Sequence, residues 1–127
     1  MSTCSTQGIK ISVRSRYLAD ESDPDQEKFI FTYEVTIENE GEIPAQLLTR
    51  HWIIKDGDNN IEEVRGDGVI GQMPYLEPGQ SFTYTSFCPL RSKFGVMRGS
   101  YGMVRPDGDT FDAEIAPFAL MPQFMLN

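Results

Sequence analysis

The sequence contains few of the residues that enzymes and metal proteins use for chemistry. Its 127 residues include one histidine, two cysteines and one tryptophan. Two cysteines are too few for a disulfide scaffold, so we expect a protein of a reducing compartment. One histidine and no paired cysteines exclude a tight Zn²⁺ or Co²⁺ site. We therefore predict neither a disulfide-stabilised fold nor a firmly held transition metal.

Positive charge and long apolar runs are also scarce. The chain has 11 Lys and Arg against 19 Asp and Glu, a formal net charge of -8. A general nucleic-acid binder neutralises phosphates with basic residues, so this balance argues against a nucleic-acid partner. No run approaches the ~20 apolar residues that span a bilayer, and the first residues lack the apolar stretch of a secretory signal. We expect a cytoplasmic protein, without a membrane partner, folded as a single domain over residues 1–127.

No segment shows the apolar period of 3.6 residues that marks an amphipathic helix. Apolar and polar residues alternate instead, most clearly from Phe29 to Glu38, as in strands with one buried face. Comparable segments occur at residues 9–17, 46–55, 61–65, 82–87, 97–105 and 110–120. About seven antiparallel strands at this spacing predict an all-β fold, an immunoglobulin-like β-sandwich.

Catalytic arrangements are poorly represented. No Gly-x-Ser-x-Gly motif occurs, and the one possible thiol–imidazole pair is Cys88 with His51. A free cysteine after a strand is more often a buried apolar filler than a nucleophile. We predict no catalytic residue and no cofactor, and the sequence leaves open whether His51 or Cys88 has a chemical role.

A row of oxygen-bearing side chains follows the strand that contains His51. Its members, at alternate positions, are Asp56, Asp58, Asn60 and Glu62. Hard cations such as Mg²⁺ or Ca²⁺ accept flexible oxygen ligands, so a weak cation site is one interpretation. An EF-hand loop would need glycine where the chain has Ile61, and it would need flanking helices. The preferred interpretation is a polar hairpin turn.

The next segment matches the pattern G-x-G-x-x-G with Gly66, Gly68 and Gly71. In dinucleotide-binding proteins this pattern joins a strand to a helix whose N-terminus holds the pyrophosphate. No helix can follow here, because Pro74 and Pro78 arrive within a few residues. We therefore predict a strand-connecting loop that needs positive φ at one or more glycines, with a phosphate cradle as the alternative.

Around this loop the chain resembles the ApaG family, from roughly Ile9 to Leu120. The resemblance is carried by the segments His51–Gly57, Glu63–Gly71, Leu76–Phe82, Tyr84–Ser86, Cys88–Leu90, Gly99–Tyr101, Phe111–Asp112 and Pro117–Leu120. It implies a fibronectin type III-like β-sandwich and no established enzymatic activity. The bacterial members are linked by name to cobalt and magnesium resistance. Related modules in eukaryotic proteins look like protein-binding domains.

Three features favour contacts with a protein partner. Arg91, Phe94 and Arg98 lie in a predicted basic loop, Arg91–Arg98, of an otherwise acidic chain, and Arg65 lies near the glycine motif. Arginine and aromatic residues are enriched at binding hot spots. Edge strands of a sandwich offer unpaired backbone groups. The C-terminal tail is apolar at Met121, Phe124, Met125 and Leu126. We expect it to fold back on the domain, or to contact another chain.

Together these observations predict a non-catalytic binding module with a protein partner and an indirect link to cobalt and magnesium resistance. An edge strand or the C-terminal tail would also allow the chain to form a homo-oligomer. The alternative is a small-ligand sensor for a phosphate-containing metabolite or a divalent cation at Asp56–Gly71.

Overall fold

The computed structural model describes residues 1–122, and strands are the main secondary structure of this part of the chain, which contains no α-helix. Two single turns of 3₁₀ helix, Ala19–Glu21 and Pro24–Gln26, interrupt the acidic segment after the second strand. The strands are β1 (Ser2–Thr6), β2 (Ile9–Tyr17), β3 (Phe29–Asn39), β4 (Ala45–Asp56), β5 (Ile61–Asp67), β6 (Tyr75–Leu76), β7 (Ser81–Leu90), β8 (Gly95–Val104) and β9 (Thr110–Leu120). The predicted all-β class is confirmed. The tail residues Phe124, Met125 and Leu126 lie outside the described residues.

The strands form two antiparallel sheets. One sheet has four strands in the order β1-β2-β3-β7. The other has five strands, with β5-β4-β8-β9 as its main order and the short β6 paired to the start of β4. The two sheets pack face to face as a β-sandwich, because each has one apolar face that must leave water.

Aromatic rings fill the centre of the sandwich. Trp52 of β4 is buried and packs edge-on against Tyr33, Tyr101 and Phe118. On β3 the alternation predicted from sequence is realised, since its odd-numbered residues from Phe29 to Asn39 are all buried. Such ring pairs contribute roughly 0.5–1.5 kcal/mol each beyond the burial of their area.

The two sides of the sandwich differ. On one side β9 meets β1 and β2: Ser15 donates a hydrogen bond to the carbonyl of Ala119 at 2.6 Å, and the amide of Glu114 donates to the Thr6 hydroxyl at 3.1 Å. On the other side β5 and β7 are the outermost strands of their sheets: β5 pairs with β4 alone and β7 with β3 alone, and the outer edge of each pairs with no strand within residues 1–122. The sandwich is therefore closed along β1 and β9 and open along β5 and β7.

Neither 3₁₀ turn, nor any other helix of the described chain, has the length and apolar character needed to cross a membrane.

Candidate binding cleft

The open side of the sandwich contains a cleft between β5 and β7. Two adjoining cavities of about 270 Å³ and 300 Å³ make up this cleft. Both are lined by Tyr33, Arg50, Trp52 and Ser86. These residues come from both sheets, so the cleft reaches down to the aromatic centre of the molecule. We refer to this space as the β5–β7 cleft.

Arg50 faces this cleft because β4 contains a β-bulge. The pairing of β4 with β8 shifts register between Leu47 and Thr49. Before the shift Leu47 is buried, whereas after it Trp52 is buried and Arg50 is half-buried opposite Tyr101. A bulge inserts one residue and changes which alternate residues face the core. Without it, an arginine would not point between the two sheets.

The protein provides hydrogen-bond acceptors for only part of the Arg50 guanidinium. Nη1 donates hydrogen bonds to the carbonyl oxygens of Asp67 at 2.9 Å and Gly68 at 3.0 Å. Within residues 1–122, Nη2 and Nε make no hydrogen bond and no carboxylate oxygen lies within 4.0 Å of this group. Arg50 thus brings a positive charge into the cleft without a carboxylate to neutralise it.

Three tyrosines lie near this charge. Burial raises the pKa of Tyr33, Tyr84 and Tyr101, and the Arg50 guanidinium lowers each of these pKa values by a smaller amount. The hydroxyls of Tyr84 and Tyr101 also hydrogen-bond to each other. All three phenols are therefore neutral at pH 7, and they can give or accept hydrogen bonds without adding charge.

Cys88 and His51 do not form a catalytic pair. Burial raises the pKa of the Cys88 thiol to about 12, so the nucleophilic thiolate is scarce at neutral pH. Cys88 lies in β7 of the four-stranded sheet, whereas His51 lies in β4 of the other sheet, where its Nε2 is 3.3 Å from a carboxylate oxygen of Glu63. The two groups have different surroundings and no shared partner.

In the row of oxygen-bearing side chains from Asp56 to Glu62, Asp56 stabilises the turn between β4 and β5 by hydrogen bonds. Asp56 Oδ1 accepts hydrogen bonds from the amides of Asp58 at 2.8 Å and Asn60 at 2.9 Å, and Oδ2 accepts one from the Asn60 side chain at 3.1 Å. These bonds lower the pKa of Asp56, with the Asn60 amide as the largest cause. Glu62 lies on β5 beside the cleft. Within residues 1–122, no three His, Cys, Asp or Glu side chains converge to hold a metal ion.

The glycine motif leads into a tight turn and not into a helix. The Gly68 amide donates a hydrogen bond to the Leu48 carbonyl at 2.8 Å. The Val69 amide donates to the Gln72 carbonyl at 2.8 Å, and the Gln72 amide donates to the Val69 carbonyl at 2.9 Å. These three amides are already used, so they do not form the cradle that holds a phosphate in dinucleotide sites. The next element along the chain is the short strand β6.

Each glycine of the motif has its own structural reason. A Cβ at Gly66 would lie 2.6 Å from Nη2 of Arg50, so this glycine makes room for the guanidinium. Gly68 has φ +63°, and a Cβ there would overlap the carbonyl oxygen of Gln72. Gly71 has φ +76° and open space around it. The predicted need for positive φ holds at Gly68 and Gly71 and not at Gly66.

The turn itself contains a strained residue. Ile70 and Gly71 are the central residues of the Val69–Gln72 turn, and both have positive φ, 43° and 76°. Asn-Gly is the favoured pair in such turns, and a β-branched residue at positive φ is a conformational outlier. Ile70 is also 56% exposed, so burial does not offset its strain. Backbone strain of this kind tends to occur at functional sites.

The predicted partner residues are divided between two places. Arg91 and Phe94 lie in the connection from β7 to β8. Arg65 and Arg98 are exposed on the strands that flank β4, paired in register with His51 and Ile53. The expectation of one basic loop from Arg91 to Arg98 was wrong, because β8 already begins at Gly95.

Six exposed apolar side chains lie on the strands next to the open side or in the loops that join them, and two of the six, Ile70 and Phe87, line the cleft itself. They belong to β5, β6, β7 and the loops that adjoin these strands. We define this apolar rim as Ile61, Ile70, Met73, Tyr75, Phe87 and Phe94. Apolar side chains beside unpaired strand edges are typical of interaction surfaces. Sequence patterns did not reveal the rim as a unit, because its members come from separate strands and loops.

The fold and the cleft define a small antiparallel β-sandwich domain with one open side. Comparisons with known proteins then give its family. The sequence model of the ApaG domain matches residues 19–105. The chain is 54% identical to Protein ApaG of Anaeromyxobacter dehalogenans (strain 2CP-C), over 100% of both chains. It is 53% identical to Protein ApaG of Pseudomonas putida (strain W619), over 88% of this chain and 89% of that protein.

A solved structure agrees with this relationship. A crystal structure described as an ApaA protein from Bordetella pertussis superposes with a TM-score of 0.89 at 48% identity, covering 91% of this chain and 94% of that one. The chain therefore belongs to the ApaG family, as the sequence resemblance predicted.

Proposed function

We propose that this chain is a non-catalytic binding module that holds a protein partner along its open side. The observation that carries the proposal is the apolar rim, of which Ile70 and Phe87 line the β5–β7 cleft itself, together with the free outer edges of β5 and β7. An exposed edge offers backbone hydrogen bonds to a partner, and apolar side chains beside it supply contact area.

The arrangement of reactive groups supports the non-catalytic part of the proposal. The Cys88 thiol has a raised pKa and no adjacent base, and His51 is occupied by Glu63. A nucleophilic mechanism needs a nucleophile and a base within hydrogen-bond reach of each other. Any connection to cobalt or magnesium resistance would then pass through the partner.

The alternative of a phosphate or cation sensor at Asp56–Gly71 has less support. In its glycine loop the amides of Val69 and Gln72 bond across the turn and the Gly68 amide bonds to Leu48 of β4, and both side-chain oxygens of Asp56 accept hydrogen bonds from within the chain. A phosphate would find these three amides already engaged, and a cation would compete with three hydrogen bonds at the Asp56 carboxylate.

Ile70 allows a direct test. We expect Ile70→Asn to raise the midpoint of urea unfolding, because asparagine tolerates positive φ, and to weaken capture of partner proteins from a cell lysate, because the apolar contact is lost. The stability gain should be of order 1 kcal/mol. The measurements are urea unfolding followed by circular dichroism, and quantitative mass spectrometry of the captured proteins.

Ile43→Asn is the matched control. Ile43 is 55% exposed, close to the 56% of Ile70, but it lies in the turn between β3 and β4 and lines neither cavity of the β5–β7 cleft. Its substitution should leave capture unchanged. Equal capture by wild type and Ile70→Asn, or equal losses in both variants, would contradict the placement of the partner.

A further inference from the structure

The proposed function gives no role to Arg50. Its guanidinium lies half-buried between the two sheets and leaves Nη2 and Nε without an acceptor in residues 1–122. It is also the one basic residue among those that line the two cavities of the β5–β7 cleft. Within residues 1–122 neither nitrogen is a buried atom without a partner, so solvent reaches both of them, and an anion could take the place of that water with a charge-assisted hydrogen bond.

The polar groups around Arg50 favour a small anion. Tyr33 and Ser86 occupy paired positions on β3 and β7, and both line the two cavities. Their hydroxyls are neutral hydrogen-bond donors, and the nearby glycine Gly66 keeps the guanidinium face free of a side chain. A charged guanidinium and two neutral hydroxyls together match a carboxylate, which accepts several hydrogen bonds.

Phosphate groups fit this site less well. A phosphate carries close to two charges at pH 7 and is usually met by several cations or by a set of free amides. The cleft offers Arg50 alone, within a chain of net charge -8. The amides of Gly68, Val69 and Gln72 already donate to carbonyls. One guanidinium balances one carboxylate.

The other half of the cleft is apolar. Beyond Arg50 the 300 Å³ cavity is walled by aliphatic, aromatic and sulfur-bearing side chains. These are Ile54, Val64, Phe87, Cys88, Pro89 and Met97, with Glu62 at the edge. A ligand that fills both halves needs a carboxylate at one end and an apolar group at the other.

We propose that the β5–β7 cleft binds a single carboxylate attached to an apolar group, with Arg50 as the anchoring cation and Tyr33 and Ser86 as hydrogen-bond donors. The inference goes beyond the proposed function, because the cleft would hold such a carboxylate whether or not the rim carries a protein partner. The carboxylate belongs either to a free small acid or to the C-terminal residue of a peptide.

The test uses small probes on the full chain. Benzoate is titrated into ¹⁵N-labelled protein, and binding is followed by the indole signal of Trp52, the single tryptophan, which lines the cleft. Neutral benzyl alcohol and inorganic phosphate are titrated in parallel. We expect saturable binding of benzoate, with at least tenfold weaker binding of the other two probes, because a charge-assisted hydrogen bond to arginine is lost or mismatched.

Variants locate the anion. Arg50→Met should weaken benzoate binding by about tenfold or more. Arg65→Met is the matched control: this arginine is exposed on neighbouring β5 and does not line either cavity, so its loss should change nothing. Ser86→Met fills the cleft without touching the Arg50 bonds to Asp67 and Gly68, and it should abolish binding even if Arg50→Met fails to fold.

N-acetylphenylalanine and its amide distinguish the two sources of carboxylate. Tighter binding of N-acetylphenylalanine than of benzoate assigns the site to peptide C-termini, and the reverse assigns it to free acids. The amide should bind at least tenfold more weakly than the acid. The proposal is overturned if neither acid binds, if phosphate competes benzoate away, or if benzoate binds equally to wild type and Ser86→Met. None of these outcomes depends on a protein partner.

Discussion

At the scale of single residues, the glycine motif shows how one pattern can combine different requirements. Gly66 gives space to Arg50, Gly68 needs both positive φ and the absence of a Cβ, and Gly71 needs positive φ alone. Gly66 is connected to the cleft through the Arg50 side chain, and Gly71 lines one of its two cavities. The motif therefore supports the cleft from its edge without using its own amides to bind.

Gly68→Ala should destabilise the protein more than Gly71→Ala. Both substitutions place an L residue at positive φ, at a cost of roughly 1–2 kcal/mol each, but at Gly68 the new methyl group also overlaps the Gln72 carbonyl. The measurement is the free energy of unfolding in urea. Because the cause lies in the backbone, the order should be the same with and without ADP, and an equal loss at both positions would contradict the steric argument.

Arg50 also shows a limit of sequence reading at this scale. Its neighbours in sequence, Thr49 and His51, gave no sign that an arginine between them would face the interior. The deciding signal is the register shift after Leu47, which depends on pairing with a distant strand. A bulge of this kind moves every later side chain to the opposite face, so alternation counted from Ala45 predicts the wrong face for Arg50.

At the scale of elements, strands with strong alternation were predictable and short ones were not. β3 has an apolar residue at every second position from Phe29 to Ile37 and was predicted closely. β1 has the sequence STCST and β6 has two residues, so neither carries a pattern of its own. These two strands form because neighbouring strands offer them hydrogen-bonding partners.

The two free edges raise the question of what prevents self-association. β5 has the sequence IEEVRGD and β7 contains Pro89 near its end. Charges and prolines on edge strands discourage pairing between copies. The edges are thus protected against unspecific pairing, although a partner with a complementary strand could still use them.

Replacing Glu62 and Glu63 together by threonine should increase self-association. The variant removes two negative charges from an unpaired edge and adds residues with high β propensity. Sedimentation velocity should show a larger dimer fraction than for wild type. The control variant replaces Glu34 and Glu38 on β3, which is paired on both sides; an equal rise in dimer there would point to net charge and not to the edge.

At the scale of the whole molecule, the buried cysteine and tyrosine side chains should make the protein less stable at alkaline pH. Burial raises the pKa of Cys88 from 9.0 to about 12 and raises the pKa of Tyr33, Tyr84 and Tyr101 above 10.0. Above pH 9 the unfolded chain loses these protons while the folded chain keeps them. The unfolded state then binds fewer protons, so stability falls as pH rises.

The urea midpoint should therefore fall steadily between about pH 8 and about pH 11. Tyr84→Phe removes one buried phenol and should make the decline shallower, although it also removes the hydrogen bond to Tyr101. Comparing slopes, and not absolute midpoints, separates these two effects. A midpoint that is constant over this range would contradict the burial of these groups.

The closed and open sides of the sandwich have a practical consequence for handling the protein. The described chain starts in β1 and ends just after β9, and these two strands meet on the closed side. A linker, a fluorophore or a sensor-chip attachment near either strand would point away from β5 and β7. The domain can be attached through its closed side while its cleft stays accessible to solution.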